Sequence, residues 1–125
     1  METLVNNIEL PNGLCISVSD STRRYYEDYH LVRLRFVCRV PLQAEYFDCP
    51  ETFAEAKRLL GDSAVYSRTC EKMGVPFSHL EVARDRIVSD FMKNALPYFS
   101  HETFPRKLVL SELAKARENA VRSRI

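Results

Sequence analysis

Val32-Arg33-Leu34-Arg35-Phe36-Val37-Cys38-Arg39-Val40 alternates apolar and polar side chains almost without a break. Successive side chains of a strand leave opposite faces, so Val32, Leu34, Phe36, Cys38 and Val40 share one side while Arg33, Arg35, Val37 and Arg39 share the other. On a helix the same arginines would be spread around the cylinder. The stretch therefore predicts a strand with a buried even-numbered face and a wet odd-numbered face. One-sided burial of this kind belongs to antiparallel sheets. Pro41, which has no N–H to give a ladder, ends the strand or sits at its edge.

Upstream, Leu4–Leu10 predicts a short strand with Leu4, Ile8 and Leu10 on one face. Pro11-Asn12-Gly13 supplies the turn, since proline presets a negative φ and Asn-Gly tolerates a positive one. Leu14–Asp20 returns as the partner strand, with Leu14, Ile16 and Val18 alternating against Cys15, Ser17 and Ser19. Asp20–Asp28 is polar and rich in turn formers, and reads as a loop with Tyr25, Tyr26 and Tyr29 near its exit.

Downstream, Pro50 suits the first position of a helix running to about Leu60, capped by Asp48 or Cys49 and stopped by Gly61. Its inward face is Phe53, Ala56, Leu59 and Leu60. In Ala64–Met73, Val65, Tyr66 and Thr69 favour a further strand over a continuing helix, and Gly74-Val75-Pro76 breaks it. Ser78-His79-Leu80-Glu81 has the form of a capping box. The helix it opens buries Leu80, Ala83, Ile87, Phe91 and Leu96 and ends near Pro97. Pro105 starts a last helix with Leu108, Val109, Leu113, Ala116 and Ala120 inward, fraying over Arg122-Ser123-Arg124-Ile125. The order β-β-β-α-β-α-α predicts an α+β protein: an antiparallel meander of three to four strands with three helices packed on one face.

A chain of 125 residues is expected to form a single domain, 1–125, with a core that needs neither disulfide nor metal. Hydrophobic residues at 46% and charged residues at 28% exclude global disorder. Eighteen basic against 17 acidic side chains leave a net charge of +1, which argues against wholesale binding to nucleic acid or membrane. The charges are unevenly placed, however. Arg33, Arg35 and Arg39 have no acid between Leu31 and Leu42; acids gather at Glu45, Asp48, Glu51 and Glu55; bases dominate after Phe104. Met1-Glu2-Thr3-Leu4 lacks the basic and apolar regions of a signal peptide, and no apolar run approaches a membrane span. The expectation is a cytoplasmic protein whose four cysteines are reduced.

Catalytic signatures are missing. Cys15, Cys38, Cys49 and Cys70 form no C-x-x-C, and His30, His79 and His101 form no H-x-x-x-H, so no metal ligands are assigned. The three glycines stand alone, which excludes G-x-S-x-G, G-x-G-x-x-G and the P-loop, and no cofactor is expected. Cys70 with His101 is a thiolate pair that can be drawn in most chains. Asp85 and Asp90 lie off one another's helix face.

Two surfaces remain. Arg33, Arg35 and Arg39, extended by Arg23, Arg24, Tyr25 and Tyr26, could hold single-stranded nucleic acid by phosphate contacts and stacking. A solvated sheet face with cross-strand salt bridges to Glu9 and Asp20 is the simpler account. The connection around Tyr98, Phe99, His101 and Phe104 is aromatic enough for a protein interface, although such segments more often plug a core.

Asn12-Gly13-Leu14, Asp20-x-Thr22-Arg23, Leu31-Val32-x-Leu34 and Asn94-Ala95-Leu96-x-Tyr98-Phe99-Ser100-His101 with Phe104-Pro105 together resemble a family of small uncharacterised bacterial proteins. The resemblance spans most of the chain and implies a bacterial, cytoplasmic, single-domain protein; it attaches no activity, cofactor or catalytic residue. The leading expectation is a non-enzymatic binding or regulatory module acting through protein contacts, as a homodimer or with another protein. Single-stranded nucleic-acid binding on the arginine face is the alternative. A small Cys/His enzyme is the third, and it requires a concave pocket holding Cys70, His79 or His101 beside a second polar group.

Overall fold

A computed structural model describes residues 3–123. Its strands are β1 (Thr3–Glu9), β2 (Cys15–Asp20), β3 (Arg23–Tyr26), β4 (Tyr29–Pro41) and β5 (Ser63–Pro76); its helices are α1 (Pro50–Leu60), α2 (Leu80–Phe99) and α3 (Phe104–Ser123). Single 3-10 turns occupy Ala44–Tyr46 and Phe77–His79. The fold is α+β around an antiparallel five-stranded sheet, in the order the sequence implies but with one strand more.

The extra strand is β3, where a loop is expected. β2 pairs with β4 from Ile16↔Cys38 to Asp20↔Leu34, and β3 resumes the same register at Arg23↔Leu31 and Arg24↔His30. Side chains bridge the interruption. Asp20 Oδ1 accepts from the Thr22 N–H (2.8 Å), and Thr22 Oγ1 accepts from the Arg33 N–H (3.3 Å). The Ser21 N–H reaches the Arg33 carbonyl (3.0 Å). β2 and β3 thus form one arm of a long hairpin closed at Glu27-Asp28, with Glu27 at φ 47, in the left-handed region. β5 pairs with β4 as well, and β1 borders β2 with a register shift between Leu4 and Asn6.

The described chain clusters into two compact units: residues up to Cys38 with Ser67–His101, and Arg39–Tyr66 with the residues from Glu102 onward. In the first, the even-numbered face of β4 is core as expected. Val32, Phe36 and Cys38 are fully buried, and so are Ile16 and Val18 of β2. The Phe91 ring of α2 stacks on Phe36, centroids 3.9 Å apart and planes at 15°, and Phe99 packs at 5.9 Å from Phe91. Val32, Val75, Leu80 and Ala83 form a further cluster against Ile87. The Asn12 side-chain amide donates to the Phe99 carbonyl (2.7 Å), so the first turn satisfies an orphan acceptor at the end of α2.

In the second unit, α1 begins at Pro50 with Cys49 in the capping position, and Gly61 at φ 80 stops it. Cys49 makes no side-chain cap; its Sγ lies 3.0 Å from Thr52 Oγ1. Ala56, Leu108, Val109 and Leu113 are buried. The uneven charges of the sequence meet here, since Arg117 pairs with Glu55 and Arg106 approaches Asp48 at 3.7 Å. Pairs this exposed contribute little to stability.

Three local expectations are corrected. The capping box does not form: Phe77–His79 tightens into a 3-10 turn, Ser78 Oγ contacts His79 Nδ1 (3.1 Å), and α2 starts without a side-chain cap. Gly74 does not break β5 but lies within it at φ 72. Pro97 lies inside α2, which runs on to Phe99. Of the expected fraying over Arg122-Ser123-Arg124-Ile125, Arg122 and Ser123 are instead helical, and Arg124 and Ile125 lie outside the described residues.

Candidate functional site

A helix is about 10 Å across and strands lie about 4.8 Å apart, so one helix covers roughly two strands of a sheet. In the first unit α2 alone lies on the sheet, and both of its flanks leave clefts. On the β1 side a cleft of about 360 Å³ is lined by Val5, Asp20, Leu34, Arg84 and Val88 among others. On the β5 side there are two, of about 380 and 180 Å³. Lys72, Val75, His79, Val82 and Arg86 line the larger; Arg68, Cys70, Ile87, Asp90 and Asn94 line the smaller. The β5 numbers rise as the α2 numbers fall, so the two clefts follow one another along a trough between antiparallel elements.

Two features distinguish this trough. First, among the described residues β5 pairs only with β4, which leaves its outer edge with unpaired backbone donors and acceptors. Second, exposed apolar side chains lie on the elements that form it: Val82, which lines the larger cleft, is 65% exposed, Met73 of β5 65%, and Phe77, just beyond β5, 71%. The floor is apolar, through Val75 and Ala83, while Lys72, His79 and Arg86 supply the polar lining of the larger cleft. No carboxylate lines it. Among the described residues neither Lys72 nor Arg86 forms an ion pair.

The neighbouring β3–β4 turn adds Tyr25, Tyr26 and Tyr29, all exposed. His30 ties that turn to β5, its Nδ1 lying 2.9 Å from the Asp28 carbonyl oxygen and 3.2 Å from that of Val75, and its ring 6.1 Å from Phe77. The Tyr25 hydroxyl lies 3.9 Å from where a Cβ on Gly74 would stand. Glycine there serves the positive φ rather than close packing.

Arg33 and Arg35 face away from α2, as the alternation requires. Arg33 Nε meets Glu71 Oε1 at 3.2 Å, and Arg35 Nε donates to Ser67 Oγ at 3.0 Å. Arg39 is exposed on the part of β4 that belongs to the second unit, and Arg23, Arg24, Tyr25 and Tyr26 are exposed on β3. The expected acidic partners are replaced. Asp20 sits on the α2 side of β2, with Oδ2 2.7 Å from Arg84 Nε, a close ion pair whose angle is poor for a hydrogen bond. Glu9 forms no ion pair among the described residues, and Glu71 takes its place beside Arg33.

Of the aromatic connection, Phe99 and Phe104 are 1% exposed and belong to cores, whereas Tyr98 and His101 are exposed. The Tyr98 ring meets Phe99 edge-on at 5.6 Å.

The thiols and imidazoles do not converge on one cleft. Cys70 lines the smaller cleft with Asp90 and Asn94, His79 lines the larger, and His101 lines neither. Among the described residues no three His, Cys, Asp or Glu side chains are placed to hold a metal ion. Burial, with a lesser contribution from Cys15, pushes the Cys38 thiol up from 9.0 to about 11. A thiol so buried is a weak nucleophile at neutral pH. Alkylation of the native protein at pH 8, followed by mass spectrometry, is expected to modify Cys15 and Cys49 first and Cys38 only in denaturant. Because the unfolded chain ionises Cys38 before the folded one, this group withdraws stability as pH rises from 9.0 towards about 11.

Comparison with known proteins finds no matching family model, no matching curated protein and no matching solved structure. Among the described residues no helix is long and apolar enough to cross a membrane.

Proposed function

We propose that this chain is a non-enzymatic, cytoplasmic binding module that acts through protein contacts made at the β5–α2 trough, with another protein or with a second copy of itself. The observation that carries the reading is the free edge of β5 flanked by exposed Met73, Phe77 and Val82. Unpaired edges and exposed apolar side chains are what association removes from water. The polar lining of the larger cleft is basic, through Lys72, His79 and Arg86, and the smaller cleft holds Cys70 without a histidine, which favours binding over catalysis. Arg33 and Arg35 are already engaged by Glu71 and Ser67, which weakens the alternative of single-stranded nucleic acid on this face of β4.

Light scattering over a concentration series, with affinity capture in parallel, tests this. Wild type is expected either to exceed the 14.5 kDa of one chain or to retain a protein that Phe77→Ser/Val82→Ser releases. A strictly monomeric wild type that retains nothing would overturn it.

A further inference from the structure

Resting on that reading, we propose that the trough receives an extended peptide segment, which adds to the free edge of β5 as a new strand and places a carboxylate against Lys72 and Arg86. The edge supplies the first half of the recognition. From Ser67 to Met73 the strand lies in the first unit and has β4 as its one strand partner among the described residues. Its outward N–H and C=O groups therefore match any extended backbone laid beside them. The flank of α2 supplies the second half. Alternate side chains of an added strand point to the helix side of the sheet, where Val82, Arg86 and Asp90 stand over the trough.

Charge selects the peptide. Lys72 and Arg86 line one cleft with no carboxylate among its lining residues, and neither forms an ion pair among the described residues. An incoming carboxylate would provide the missing partner at the rim of an apolar floor, where charge-assisted contacts are stronger than in open water. Gly74, at φ 72 within β5, takes the backbone out of the ordinary extended region just beyond Lys72, so the added strand ends close to this basic pair. The carboxylate is that of an Asp or Glu side chain or of a chain terminus. A second copy fits less well: in the symmetric register centred on Cys70, Arg68 of one copy faces Lys72 of the other, and like charges directly opposite repel.

The test is a selection of random ten-residue peptides on the immobilised full chain. The winning peptide is then titrated, with free and amidated C-terminus, into wild type and Lys72→Glu/Arg86→Glu. Selected peptides are expected to carry a carboxylate, to shift the backbone amide resonances of Ser67–Met73, and to lose at least about tenfold in affinity to the double variant. Methylating alternate peptide amides is expected to abolish binding. Loss of affinity on amidation assigns the terminal carboxylate, and its retention assigns the side chain. Winning peptides without a carboxylate, or shifts confined to other surfaces, overturn the proposal while leaving a protein-binding module standing. Shifts at β5 produced by self-association alone make the second copy the occupant and overturn it too. No enriched peptide overturns it as well, and a monomer that also retains no protein removes the broader reading with it.

Discussion

Replacing Phe36 with alanine is expected to lower the free energy of unfolding by about 4 kcal/mol. The ring is fully buried and stacks on Phe91 at 3.9 Å, so its removal forfeits the transfer of an aromatic side chain and leaves a void against α2. The strand beneath is held by β2 and β5 and cannot collapse into that space. Urea denaturation followed by circular dichroism gives the result as a lowered midpoint with an unchanged slope. Phe77→Ala is the control: that ring is 71% exposed, and the change should stay within about 0.5 kcal/mol. A loss below about 1.5 kcal/mol for Phe36→Ala would mean that the even face of β4 is not the centre of the core.

The second large effect compares the two faces of the same strand. Val32→Asp is expected to leave the chain unfolded at pH 7. Val32 is fully buried and packs with Val75, Leu80 and Ala83, none of which can pair a carboxylate. Burying an unpaired charge costs several kcal/mol, comparable with the 5–15 kcal/mol typical of a whole domain's stability. Arg35→Asp, three residues along and on the other face, changes an exposed side chain that bonds Ser67 and should cost no more than about 1 kcal/mol. Dispersion of the amide proton spectrum reads both variants. A native spectrum for Val32→Asp, or a collapsed one for Arg35→Asp, would reverse the assignment of the faces.

β4 could be read residue by residue because its burial and its sequence follow the same period of two. β3 could not. Arg23, Arg24, Tyr25 and Tyr26 are all exposed, so no alternation marks them, and they become a strand because β2 has already set the register against β4. The Ser78 pattern misleads because Pro76, at φ −67 and ψ 154, delivers an extended chain into a 3-10 turn whose geometry turns the hydroxyl to His79. Arg33 finds Glu71, 38 positions away, rather than the acids nearest on the sheet strands before it. The trough was invisible for a different reason. It arises because one helix covers roughly two strands of the first unit's sheet, and because Lys72 and Arg86 form no ion pair among the described residues, and neither condition is written in a local pattern.

The common register of β2 and β3 against β4, shifted only between Arg24 and Tyr26, bears on how the chain finds its fold. Pairings around Glu27-Asp28 begin with Tyr26↔Tyr29 and spread outward to Ile16↔Cys38, each closing a loop only slightly larger than the one before. Loop-closure entropy is smallest for such neighbours, so this hairpin is a natural nucleus. β5 can pair with β4 only after the intervening chain, α1 included, has been brought round. The strand that carries the free edge is thus a late arrival, and substitutions along it should act mainly on the rate of unfolding, whereas those in the hairpin act on the rate of folding.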